Sequence, residues 1–217
     1  MRRPISTQKP RVLALDLDGT LITCRSRQVE LAAHVARLRG GARVNRAAFW
    51  RLKRAGASTR DAFVSLGWSM ADASVLADDW VAEIESPDWL ARDELVPDAV
   101  AALRYLASRG TRAVILTARR SRSGVVQQLD RLGITSLIDS VIVVPPADVV
   151  RKKSLYLRRL SAEGFVGDTE ADARAAALAG VKFVAVSGGQ RSAAFLIRAG
   201  VPLVCRDLMS ALRRLSL

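Results

Sequence analysis

Short unbroken apolar runs alternate along most of this chain with stretches whose apolar residues recur every three or four positions. The runs RVLALD (11–16), TRAVILT (111–117), SVIVVP (140–145), GFVGD (164–168) and VKFVAV (181–186) predict strands buried on both faces. Between them, residues 97–109, 122–132, 153–160, 170–180 and 192–200 predict helices. Pro97 suits a first helical turn, and Gly110 and Gly133 suit helix ends. PLVCR (202–206) predicts a short edge strand, and residues 207–215 a last helix. The alternation predicts an α/β fold, a Rossmann-like parallel sheet with helices on both faces.

One interval breaks the alternation. Between the first strand and Pro97 only helical patterns occur, in VELAAHVARL, RAAFWRLKRAG, STRDAFVSLGW and MADASVLADDWVAEIE. Residues 24–92 therefore read as an inserted all-helical cap, and residues 1–23 with 93–217 as the core that carries it. Phe49, Trp50, Phe63, Trp68, Trp80 and Trp89 are expected to form the insert's own small core. His34, the only histidine, is expected to be structural or exposed.

Of the 217 residues 50% are hydrophobic but only 5% aromatic, so the core must be built from Ala, Val and Leu. No apolar run has the roughly 20 residues of a membrane span. The start, MRRPISTQKP, lacks the apolar stretch of a signal peptide and reads as a loose basic tail. Cys24 and Cys205 match no metal-binding spacing and are expected to be free thiols in a reducing cytoplasm. The net charge of +13, with 29 arginines among 34 basic residues, favours acidic partners: phosphorylated metabolites, nucleic acid or anionic lipid. Within the insert, residues 25–60 carry ten bases against Glu30, while 61–88 carry seven acids and no base. The two halves are expected to pack as complementary helices with solvated faces, in preference to a basic half overhanging a cleft.

Chemistry gathers where strands end. Asp16 and Asp18 close the first strand, Thr117 closes TRAVILT, Asp168 and Asp172 lie in GDTEAD, and Lys152 and Lys153 precede the fourth strand. Ligands of open α/β sheets bind beyond the carboxyl ends of the strands. One such aspartate reads as a turn or helix cap, but four converging polar signals do not. Clustered carboxylates repel unless a cation or proton joins them, and Mg²⁺ suits carboxylates combined with phosphate oxygens.

In this order DLDGT, LTAR, a downstream lysine and GDTEAD resemble the haloacid dehalogenase-like hydrolase superfamily, over nearly the whole chain. A helical cap placed just after DLDGT is similar to the group with phosphoglycolate phosphatases and β-phosphoglucomutases. The resemblance implies a Mg²⁺-dependent phosphatase acting on a small phosphorylated molecule through an aspartyl-phosphate. Asp16 is then the nucleophile and Asp18 the general acid and base. Thr117 and Lys153, preferred over Lys152, hold the phosphoryl group. Asp16, Asp18, Asp168 and Asp172 form the metal site, Asp172 either as a direct ligand or as a partner orienting the site. Gly19 lets the chain bend after the strand.

Asp18 favours phosphate-ester chemistry over halide loss, since the family's dehalogenases lack a carboxylate there. Lys53, the insert's only lysine, belongs to an ordinary amphipathic pattern, which argues against a Schiff-base role in phosphonate cleavage. Leu21–Cys24 replace the acidic continuation of many relatives, which bears on substrate choice. Arg119 and Arg120 either reach a large anion or face solvent, and SGGQRS (187–192) reads as a plain flexible loop in preference to a segment lining the cleft. The same aspartates would serve a sugar-phosphate mutase. The charge would also suit a nucleic-acid-associated 3′-end phosphatase or binding protein, but no nucleic-acid motif is present.

Overall fold

The computed structural model describes residues 11–40 and 43–215; the basic N-terminal stretch lies outside them. Strand β1 (Arg11–Leu15) leads to a short strand β2 (Ile22–Thr23). Five helices follow: α1 (Arg25–Leu38), α2 (Arg46–Arg54), α3 (Thr59–Ser65), α4 (Met70–Glu83) and α5 (Pro87–Leu90). Strand β3 (Glu94–Leu95) returns the chain to α6 (Ala99–Ser108), β4 (Thr111–Ala118), α7 (Arg122–Arg131) and β5 (Ser140–Val144). Then come α8 (Val149–Leu160), β6 (Gly164–Gly167), α9 (Glu170–Ala179), β7 (Lys182–Val186), α10 (Ala193–Arg198), β8 (Val204–Cys205) and α11 (Leu208–Arg214).

Six strands form one parallel sheet in the order β5-β4-β1-β6-β7-β8. Alternation along β1 divides the core, because successive side chains leave opposite faces. Leu13 and Leu15 pack with Ile115 and Val166 against α6 and α11. Ala14 packs on the other face with Leu116, Phe165 and Leu157 under α8 and α9. Each such buried Leu is worth about 1.5–3 kcal/mol. The chain leaves β1 for β4 and β5 on one side and later returns to β6 on the other. The strand order therefore reverses beside β1, which opens the crevice where open α/β sheets bind ligands.

Two local readings need correction. Helix α8 begins at Val149, not at residue 153, so Lys153 sits in its second turn. Val149 and Val150 continue an apolar run in sequence, yet they are the helical residues that pack against the Ala14 face. Second, β2 and β3 pair antiparallel, Ile22 with Leu95 and Thr23 with Glu94, where only helical patterning was legible. Two-residue strands are too short to show a period.

The helices between β2 and β3 bury their own cluster around Phe49, Trp50 and Phe63, with Trp68, Trp80 and Trp89 half-buried against it. The acidic and basic halves meet through Arg39–Asp79 at 2.9 Å and Arg60–Asp61 at 3.6 Å among the described residues. Lys53 is buried in this cluster rather than solvated. Its Nζ donates to Thr59 Oγ1 at 3.1 Å and lies 5.5 Å from the Trp80 ring centre. Burial, assisted by the charge of Arg191, pushes its ammonium down to about 8. The folded chain thus binds fewer protons here than the unfolded chain between pH 8 and 10.5, so this group adds stability as pH rises through that window. Lys53→Met should therefore stabilise the fold at pH 7 by about 1–3 kcal/mol. Urea unfolding of both proteins should show the gain shrinking towards pH 10.5; a gain independent of pH would contradict the assignment.

Candidate active site

Three strand ends bring the site together. Asp16 follows β1, its backbone N–H donating to Val166 O at 2.8 Å, and Asp168 follows β6. The β1–β4 register pairs Leu15 with Ile115, which puts Thr117 just past the level of Asp16, buried near the end of β4. One carboxylate oxygen from each of Asp16, Asp168 and Asp172 lies within 4.8 Å of the others.

Lys153 is the cation among them. Its Nζ donates to Asp16 Oδ1 at 2.9 Å and to Asp172 Oδ1 at 2.6 Å. Lys152 is exposed on the same helix. Asp172 also caps α9: its Oδ2 accepts from Thr169 N and Oγ1, while Thr169 Oγ1 accepts the Asp172 N–H. Both Asp172 oxygens are thereby occupied. Asp168 differs: Oδ2 accepts the Gln190 N–H at 2.5 Å, whereas Oδ1 is buried without a hydrogen-bond partner.

Charge follows from this crowding. Burial pushes the Asp16 carboxyl up to about 7 against the pull of Lys153. Burial and the neighbouring Asp16 and Asp172 push Asp168 well above the ordinary carboxylate range. Burial alone would lower the Lys153 ammonium, but Asp16 and Asp172 hold it above its usual value. A cluster of three buried carboxylates, one of them with an unpartnered oxygen, is what a hard cation with oxygen ligands satisfies, so the residues present fit Mg²⁺. Asp16 and Asp168 would hold it, with Asp172 steadying Lys153 behind them.

Asp18 does not join this cluster, contrary to the expectation of four aspartates around the ion. Its carboxylate is taken by two buried guanidinium groups. Arg119 donates through Nε at 2.5 Å and NH2 at 2.7 Å, and Arg27 of α1 donates through NH2. Burial would raise the Asp18 carboxyl, but Arg119 and Arg27 together hold it below its ordinary value. Arg27 also donates to Asp93 Oδ1 at 3.0 Å and to Ile84 O at 3.0 Å, and Asp93 accepts from Gln128 at 2.8 Å. Arg119 is therefore neither solvated nor open to a ligand here. Arg120 turns to the insert, donating through its backbone N–H to Glu85 at 2.9 Å.

The 187–192 loop also departs from its reading as a plain flexible connection. Besides Gln190 on Asp168, Arg54 of α2 donates to Ser187 O at 2.5 Å, and Arg191 donates to Lys53 O at 3.0 Å. The loop thus ties the insert to the site. Gly19, at φ +79°, and Gly189 both press on the Asp168 carboxylate, where a Cβ on either would collide with it. The pair of glycines in a loop directly after a strand was the visible signal. Nothing in the sequence marked Arg27, Asp93 or Gln128, which are ordinary polar positions until the fold converges them.

The family model of haloacid dehalogenase-like hydrolases matches residues 10–180. The chain belongs to that family. No curated protein matches this hydrolase by sequence. Solved structures similar to the hydrolase include a haloacid dehalogenase-like family protein from Streptococcus pneumoniae, at TM-score 0.74 and 18% identity over 94% of this chain and 97% of that one. A predicted phosphoglycolate phosphatase from Haemophilus somnus follows at TM-score 0.72 and 16% identity, covering 96% of this chain and 99% of that chain. A predicted phosphatase from Clostridium acetobutylicum gives TM-score 0.72 and 16% identity over 97% of this chain and all 100% of that one. At these identities the likeness establishes the fold of the hydrolase. No helix among its described residues is long and apolar enough to cross a membrane.

Proposed function

We propose that this hydrolase is a Mg²⁺-dependent phosphatase of a small phosphate monoester, with residues 24–92 acting as the cap that covers the site. The carrying observation is the convergence of Asp16, Asp168 and Asp172 on one point, with Lys153 between them and a bare oxygen on Asp168. The descriptions of the similar solved structures as phosphatases support the same reading.

Asp16 attacks phosphorus, the ester oxygen leaves, and an aspartyl-phosphate forms on the Asp16 carboxylate. Water then attacks that phosphorus and regenerates Asp16. Asp18, two residues on, gives its proton to the leaving oxygen and takes one from the water, for which its carboxylate must come away from Arg27 and Arg119. Lys153 and Thr117 hold the phosphoryl oxygens, and Lys153 offsets their charge. Bound Mg²⁺ supplies the positive charge that lets an anionic nucleophile meet an anionic phosphate. The half-buried to buried side chains of the site, roofed by Arg54 and the 187–192 loop, exclude bulk water at the first step.

A panel of phosphorylated metabolites tests this. Free phosphate should appear from at least one monoester, cease with excess EDTA and return on adding Mg²⁺. Release that survives chelation removes the metal from the reading. An isomerised sugar phosphate without free phosphate makes the protein a mutase.

A further inference from the structure

The positive charge of the chain has no counterpart in the carboxylate site, so it needs a place of its own. One wall of the insert supplies it. Glu30, His34 and Arg37 stand on a single face of α1, at helical spacing, over a groove of about 450 Å³. Arg43 closes it from the α1–α2 connection and Arg46 from the start of α2, and Trp89 and Arg92 from the far side. None of the site aspartates lines it.

Charge in the groove is unbalanced. Arg46 is satisfied by Glu30 at 2.6 Å. Arg37, Arg43 and Arg92 are exposed and have no acidic partner among the described residues; Arg37 meets only the His34 ring, at 3.4 Å. Three like charges around one concavity focus a positive potential that an anion relieves. The groove also has an aromatic floor. Trp89 is fixed by its Nε1 donating to Glu83 at 3.2 Å, with His34 edge-on at 5.5 Å and the Arg92 guanidinium stacked 4.5 Å from its ring centre. Bare phosphate needs no aromatic surface. Arginines interleaved with a fixed indole are how proteins take a planar base together with its phosphate, and the volume lies in the range of small-ligand sites.

We propose that this groove binds a nucleotide, its base stacked on the Arg92 guanidinium that lies over Trp89 and its phosphate held by Arg37 and Arg43. A free nucleoside polyphosphate and a nucleotide within a single strand share that chemistry. The proposal is independent of the reaction assigned to the carboxylate site.

Titration calorimetry on the full chain in EDTA at low salt, with ATP and with a dT10 oligonucleotide as probes, tests it. Binding of either probe is the expected result; ATP alone identifies a free-nucleotide site, and dT10 alone a strand site. Arg37→Glu with Arg43→Glu, both on exposed positions, should weaken binding more than tenfold, and Trp89→Leu roughly tenfold. Asp16→Asn, and Arg151→Ala with Arg159→Ala on the distant α8, should change it less than twofold. The proposal fails if neither probe binds, if the α8 control costs as much as the groove variant, if Asp16→Asn abolishes binding, or if pyrophosphate competes as well as ATP. Trp89→Leu without effect likewise removes the base from the site.

Discussion

Asp16→Asn should cut phosphate release by roughly four orders of magnitude or more while the protein stays folded. The amide cannot form the acyl-phosphate, so neither displacement has a starting group. The fold has no reason to suffer. Lys153 keeps its 2.6 Å bond to Asp172, and the amide oxygen can accept the other donor. A neutral residue at 16 also removes one of the charges that, after burial, push Asp168 upward. Without metal the variant should therefore melt at or above the temperature of the parent. Measured together, a lost rate and a retained melting temperature identify a nucleophile. Activity above one-hundredth of the parent, on material shown by mass to be free of deamidation, would remove Asp16 from that role.

Lys153→Met should be costly to both rate and fold. The ammonium is buried between two carboxylates, and removing one partner of a buried ion pair typically costs about 3–5 kcal/mol because the remaining charges are left uncompensated. For a chain of this size that is roughly 10 °C of melting temperature. The rate should fall by about 10²–10³, the range for removing one preorganised donor at a developing anion. Lys152→Met is the matched control. Its side chain is exposed one residue away, so stability should move by less than about 0.5 kcal/mol and rate by less than twofold. Equal effects from the two substitutions would mean that Lys153 acts through the general charge of α8 rather than at the site.

The parallel sheet was readable because its strands are buried on both faces and therefore appear as unbroken apolar runs, RVLAL and GFVG among them. The convergence of Asp16 and Asp168 was readable because a strand end is fixed by local sequence and the sheet alone brings such ends together, while Asp172 follows in the first turn of α9. Asp18 shows where that logic stops. Alternation places it on the same side as Asp16, but its partners come from α1 and from the residue following β4, and no local pattern foretells that contact. The β2–β3 pair was hidden by its length, and the start of α8 by two valines that serve a helix as well as a strand. The burial of Lys53 was not legible because an amphipathic period does not say which polar residue a small aromatic core will enclose.

Arg27 bonds three segments with one side chain: the loop after β1 through Asp18, the end of α4 through Ile84 O, and the return strand's approach through Asp93. Both crossings between the insert and the sheet are thus fastened to the group that would handle protons. Lifting the insert away cannot leave Asp18 undisturbed, since the guanidinium must either drag that carboxylate along or let it go. On the proposed reading of the insert as a cap and Asp18 as acid and base, admission of a reactant and readiness of the proton carrier would become one mechanical event, an interlock that costs no separate moving part.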